Sequence, residues 1–176
     1  MDKQEGILSS PTEKCPTNPS LTCSGKERKE WRPSCGLNLL DYCAMARQVP
    51  LGTRVEREET VEFETTLSSR LASLPPVYAT PAMIRLMEEA CYFALQPYCE
   101  GDEINVGTHI NVKHIAATGL GARVRAEAVL ESFDGRFYTM RVRAWARNGE
   151  SEIEIGNGTV ARAVVSVGKF MKRVKK

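Results

Sequence analysis

Three side chains in the stretch VYATPAMIRLMEEACYFALQPYCEGDEINVGTHINVKHIAAT, residues 77–118, have the types a hydrolytic reaction needs. Thr80 and Glu88 fall on a segment with a helical apolar stripe, and His114 on the alternating segment that follows. A hydroxyl, a carboxylate and an imidazole can together supply a hydrogen-bond donor, a nucleophile or general base, and a proton carrier. His114 shares its strand parity with apolar Ile110 and Val112, whereas the other histidine, His109, falls on the polar parity. An imidazole facing a core needs a specific partner, which also sets its tautomer. Glu88 lies about 40° beyond Ile84 on one margin of the helical stripe, and Glu89 lies just outside the opposite margin. Helical geometry does not choose between these two carboxylates. Thr80 has a second explanation as an N-cap, with Pro81 at the first helical position, where its missing N–H costs nothing. Arg162, in VARAV, either turns inward to pair with a carboxylate or phosphate, or faces out.

The elements that must position these groups follow from periodicity. Residues 53–66 have β composition, with Val55, Val61 and Phe63 alternating against charged residues. Pro75-Pro76 forces extended backbone before the helix. Met83, Leu86, Met87, Ala90, Phe93 and Ala94 then recur at helical spacing, and Pro97 and Gly101 close the element. Cys91, at an apolar helical position, reads as a small core residue. In residues 104–116, Ile104, Val106, Ile110 and Val112 form the inward set, while Asn105, His109, Asn111 and Lys113 face the other way. Residues 122–133 place Val124, Ala126, Ala128 and Leu130 on one face. Asp134-Gly135 is a two-residue hairpin turn, and residues 137–147 return with Tyr138, Met140, Val142 and Ala144 inward. Asn148-Gly149 makes a second turn into residues 153–167. The order is strand, long helix, four antiparallel strands. A twisted five-stranded antiparallel sheet wrapped around one central helix, the α+β hotdog architecture, satisfies it.

Composition bounds the function classes. The chain has 176 residues, of which 42% are hydrophobic and 26% charged, as in an ordinary globular protein with one domain and an extension. A formal charge of +2, with positive residues interleaved among acids except in the last eight positions, argues against nucleic acid as a partner. No apolar run approaches the roughly 18 residues of a membrane span, and the N-terminus lacks the basic start and apolar core of a secretory signal. A cytoplasmic location is the default expectation. Residues 1–48, rich in Pro, Ser, Thr, Lys and Glu, are expected to be a disordered extension, with a short helix near residues 39–45 as the one local exception. Met45 begins MARQVPLGTRVE, which would itself serve as a start. Cys15, Cys23, Cys35 and Cys43 are spaced too widely for the short pairs that clamp zinc, and no histidine is near them, so no metal is expected. The hotdog domain is assigned to residues 49–172 and a basic tail to residues 173–176. The tail lysines and arginines are read as a solvated terminus, with contact to phosphates as the alternative.

Taken together, VYATPAMIRLMEEAC, GTHINVKHIAAT and GNGTVARAV resemble the fluoroacetyl-CoA thioesterase-like family of the hotdog superfamily, over residues 49–172. The resemblance implies that Thr80, Glu88 and His114 are the catalytic threonine, glutamate and histidine, and that Gly107 and Arg162 line the substrate. It also implies a homodimer joined edge to edge through its sheets, with a dimer of dimers as the alternative, acyl-CoA bound at the subunit interface and no cofactor. Two positions depart from the family pattern. Pro81 stands where the fluoroacetyl-specific enzyme has glycine, so carbonyl polarisation must use later amides. Leu74 stands where that enzyme has the aromatic residue that gates the fluorinated substrate, so the resemblance carries thioester hydrolysis and not fluoroacetyl selectivity.

The expected function is therefore hydrolysis of a small acyl-CoA to free acid and CoA. Two other readings keep the fold: a non-catalytic acyl-CoA-binding module, and an enoyl-thioester hydratase or dehydratase. The first gives no reason to set an imidazole and a carboxylate beside an acyl group, and the second lacks a D-x-N-P-x-H-type stretch here.

Overall fold

The computed structural model describes residues 49–174. The expected extension over residues 1–48, its four cysteines, its short helix, and the last two tail residues lie outside the described residues. Five strands, β1 (Arg54–Thr60), β2 (Glu103–His114), β3 (Arg123–Phe133), β4 (Tyr138–Asn148) and β5 (Ser151–Ser166), accompany the helices α1 (Thr80–Leu95) and α2 (Val167–Val174). The sheet is antiparallel throughout, in the order β1-β3-β4-β5-β2, so β1 and β2 are its edges. This is the α+β arrangement that periodicity predicts.

Burial explains why the sheet wraps the helix. Met83, Leu86, Met87, Ala90, Cys91, Ala94 and Leu95 of α1 are buried. They share one core cluster with Val124, Ala126, Ala128 and Leu130 of β3 and Met140, Val142 and Ala144 of β4. Alanines on the strands opposite Met and Leu on the helix let the two layers interlock at native density. Each fully buried Leu or Met contributes about 1.5–3 kcal/mol relative to exposure. Gly156 belongs to the same fit, because a Cβ there would lie 2.5 Å from the Met83 sulfur. Register shifts at Gly107/His109, Leu130/Ser132 and Ala144/Trp145 bend the strands and tighten the twist around the helix. The first hairpin is fixed by Asp134, whose Oδ1 accepts from the amides of Arg136 at 2.9 Å and Phe137 at 2.7 Å, with Gly135 at φ 95°.

The structure departs from the periodicity reading in four places. Phe93, expected inside, is 44% exposed and lies under the Arg57 guanidinium, 4.7 Å from its ring centroid. Phe63 is also exposed, because β1 ends at Thr60 and a 3-10 turn takes over at Phe63–Thr65. The inward set of β2 is inverted in its first half: Asn105 is buried, while Ile104 and Val106, expected inside, are only half-buried. The cause is the bulge at Thr108, where one extra residue switches every preceding side chain to the opposite face. Finally, the tail forms α2, whose side chains are all partly or fully exposed.

Candidate active site

The start of α1 is held in place before any chemistry is considered. The Tyr78 amide donates to Thr118 O at 2.7 Å, the Ala79 amide to Thr65 O at 2.9 Å, and the Leu67 amide to Val77 O at 3.0 Å. The buried Tyr78 hydroxyl donates to Glu59, and Arg85 bridges Glu59 and Glu89. Burial, then that carboxylate, pushes the Tyr78 phenol far above its ordinary range, so it stays a donor. Glu89 is thereby a surface partner of Arg85, 2.5 Å away at i,i+4 spacing. The ambiguity between the adjacent glutamates resolves in favour of Glu88 as the one near the sheet's inner face.

Thr80 is not the N-cap. Ala79 holds that position with extended backbone (φ −82°, ψ 139°), and no side chain caps the helix. The Thr80 hydroxyl turns instead to His114, its Oγ1 lying 2.9 Å from Nδ1. The tautomer sets which atom donates, and in either case Nε2 is the ring nitrogen left over. Nε2 is buried and has no hydrogen-bond partner among the described residues. A buried nitrogen without a partner costs free energy, which functional sites tolerate and cores avoid. The amides of Ala82 and Met83 both donate to Ala79 O, at 2.9 and 3.1 Å, and Pro81 has none. The later amides expected to polarise a carbonyl are thus already engaged, which leaves that task to the Thr80 amide and, when Nδ1–H is the donor to Oγ1, to the Thr80 hydroxyl. Beside this pair lies a cleft of about 300 Å³ with walls from Leu67, Val77, Tyr78 and residues 115–117. Leu67, Val77 and Ile115 carried no signal in the sequence, since only the loop's path brings them there. Leu74 is 40% exposed, in the same loop but outside the residues that line the cleft.

Glu88 belongs to a second cluster. A Cβ on Gly107 would collide with its Oε1, so glycine is what admits the carboxylate to the strand. Arg162, opposite Gly107 on β5, places Nη1 at 3.5 Å from Glu88 Oε1 and 3.4 Å from Glu88 O. Arg162 is 5% exposed, so the outward alternative is excluded, and burial lowers its guanidinium from the ordinary value while Cys91 and Glu88 partly oppose this. It also donates through Nε to Asn105 Oδ1 at 2.6 Å and through Nη2 to Asn105 O at 3.1 Å. Periodicity puts Asn105 on the opposite face, and only the bulge brings it inside. Neighbouring Cys91 is buried, and burial pushes its thiol up to about 12, so it is no nucleophile.

The six residues singled out by sequence therefore form two groups within one protomer, Thr80 with His114 and Glu88 with Gly107 and Arg162, with Leu74 apart from both. Eight helical steps separate Thr80 from Glu88, about 12 Å along the axis. Six paired steps of β2, about 20 Å, separate Gly107 from His114 once the bulged Thr108 is set aside. Both groups lie on the face of β2 that meets α1, and β2 is an open edge. Among the described residues no cluster of three or more His, Cys, Asp or Glu could hold a metal, and no helix is long and apolar enough to cross a membrane.

Comparison with known proteins adds an independent line. The profile of the fluoroacetyl-CoA-specific thioesterase family matches residues 55–168. The fluoroacetyl-CoA thioesterase of Streptantibioticus cattleyicolor is 40% identical over 121 residues, covering 69% of this chain and 84% of that protein. A solved structure of the fluoroacetyl-CoA thioesterase FlK shares 38% identity at a TM-score of 0.64, over 72% of this chain and 95% of that one. A Thermus thermophilus protein described as a thioesterase superfamily member shares 29% identity at a TM-score of 0.66, over 73% and 95% of the two chains.

Proposed function

We propose that this chain, which belongs to the fluoroacetyl-CoA-specific thioesterase family, hydrolyses a small acyl-CoA to free acid and CoA at a site shared by two copies. The observation that carries the reading is the symmetry of the two polar groups about Asn111. With Thr108 bulged out, Gly107 and His114 each lie three paired steps from Asn111 along the open edge. Antiparallel pairing of β2 with a second copy about a two-fold axis at Asn111 brings Gly107 of one protomer opposite His114 of the other. The same operation sets Glu88 and Arg162 of one protomer facing Thr80 and His114 of its partner, with acyl-CoA between them. Pairing also satisfies an edge strand that otherwise presents unpaired backbone and a 42% exposed Ile110.

The division of labour follows from the groups present. The thioester carbonyl lies by the start of α1, where the helix dipole and the Thr80 hydroxyl favour developing negative charge. Glu88 either takes a proton from water as the water oxygen bonds to the carbonyl carbon, or attacks that carbon itself to give an anhydride that water then opens. His114 Nε2 faces the reaction and relays the proton that Glu88 takes from water to the departing sulfur as the C–S bond breaks, with Nδ1–H donating to Thr80 Oγ1. On the anhydride route the sulfur leaves as thiolate and takes the proton of the water that opens the anhydride. The apolar wall of Leu67, Val77 and Ile115 suits a short acyl chain.

Loss of one general acid–base group lowers rate by about 10²–10⁴-fold. Glu88→Gln and His114→Ala should each lose turnover on that scale, measured as thiol release from acetyl-CoA and related short acyl-CoAs, while circular dichroism stays that of the parent. Parent-like turnover in both variants would mean that the reaction centre lies elsewhere.

A further inference from the structure

We propose that Asn105 is a positioning residue for this site: it holds the Arg162 guanidinium so that the cation acts on Glu88. This rests on the reading of Glu88 as the working carboxylate. A buried guanidinium ordinarily takes a carboxylate as its fixed partner, in a two-bond fork. Here the fork is filled by a neutral residue. Nε donates to the Asn105 side-chain oxygen at 2.6 Å and Nη2 to the Asn105 backbone oxygen at 3.1 Å, so a single residue sets both the position and the plane of the guanidinium.

The amide cannot turn round. Its oxygen must face Arg162, which only donates, and its nitrogen donates to Tyr92 O and to Gln96 Oε1, each at 3.2 Å. Those two acceptors belong to the end of α1 and the turn after it, so Asn105 fastens β2, β5 and the helix that carries Glu88 to one another. Asn105 is 3% exposed and Arg162 is 5% exposed, and neither gains from water what it would lose here. With Nε and Nη2 committed, Nη1 is the nitrogen directed at Glu88. An aspartate would offer the same fork but would neutralise the cation itself. Asparagine supplies the geometry and leaves the charge for Glu88 and whatever Glu88 reacts with.

The consequence is kinetic more than structural. Asn105→Asp keeps both acceptors for Arg162 yet diverts its charge. Like Asn105→Ala it loses the amide's bonds to Tyr92 O and Gln96 Oε1, a loss that the Arg162→Met background measures by itself. Asn105→Ala keeps the charge but frees the guanidinium to move. Each should lower kcat by about tenfold or more and leave KM for acetyl-CoA within about twofold, because an interaction made only in the transition state is lost. In an Arg162→Met background, Asn105→Ala should cost no further kcat, since the two act as a unit. Parent-like kcat in Asn105→Asp, a rise in KM with kcat unchanged, or losses that multiply in the double variant would each overturn the assignment. Asn105→Asp is the deciding variant should Asn105→Ala fail to fold. Glu88→Gln measured alongside separates the two claims. If it turns over like the parent, the site reading fails; if it is dead while Asn105→Asp and Asn105→Ala are parent-like, only the role of Asn105 fails.

Discussion

Gly107 shows how tightly a single position constrains the site. It is the point where the strand approaches the helix closely enough to touch Glu88, and Arg162 Nη1 stands 3.7 Å from where a Cβ would be. Gly107→Ala should push the carboxylate aside by about an ångström, a displacement that can cost about 10² in rate. Thermal denaturation should change little, since the flexible end of a partly exposed side chain can yield; thiol-release kinetics beside a melting curve checks both halves. At this scale the sequence is informative about type and silent about environment. Thr80, Glu88 and His114 are conspicuous as chemistry-bearing residues, but Thr80 looks like a cap and Glu88 like its neighbour Glu89. The surroundings that separate them, His114 for Thr80 and Gly107 with Arg162 for Glu88, come from positions 19 to 74 residues away in the chain.

Elements are more legible than residues, because a strand or helix repeats its burial every two or 3.6 residues. The inner faces of β3 and β4 and the core face of α1 follow directly from that repeat, with Phe93 as the exception. Where one residue is inserted the repeat misleads, and β2 is the case in point. The tail is the other. Residues 167–174 have a helical apolar pattern, but eight residues with several like charges are too few to form a helix alone. What holds α2 is Asp102: its backbone O accepts from the Val167 amide at 2.9 Å, and its carboxylate accepts from the Ser166 hydroxyl at 2.8 Å and the Gly168 amide at 3.1 Å. The Ser166 hydroxyl first, and the Gly168 amide second, hold the Asp102 carboxyl below its ordinary range. Its contribution is therefore complete above the ordinary carboxylate pKa of about 4 and is lost as pH falls through the depressed folded value. Asp102→Asn should speed amide exchange of α2 at neutral pH and leave thioester turnover unchanged. Slow exchange in that variant would show that α2 is held by something else.

The molecule as a whole decides whether the two polar groups meet. A site divided between protomers predicts complementation. Glu88→Gln and His114→Ala homodimers should each be inactive, while a mixture allowed to exchange subunits places both lesions in one site of each heterodimer and leaves the other intact. Random pairing then restores about a quarter of parent turnover. A mixture that stays as inactive as its components, with heterodimers demonstrated by mass spectrometry, would require each protomer to hold a complete site.

The chain by itself determined the five strands, the central helix, the places of both hairpins and the residue types available for chemistry, although each turn falls one residue later than read, since Asn148 still pairs with Ser151 and the Asp134 amide still donates to Phe137 O. Each of these is a local property, expressed as a periodicity or a turn preference within a dozen residues. The tertiary structure alone decided which face Asn105 joins, that Arg162 is buried, that the Thr80 hydroxyl serves His114 and not the helix end, and how far Glu88 stands from that pair. Those outcomes depend on pairing register and on one bulge in an edge strand, and register is set by the cooperative packing of distant segments that no short window of sequence records.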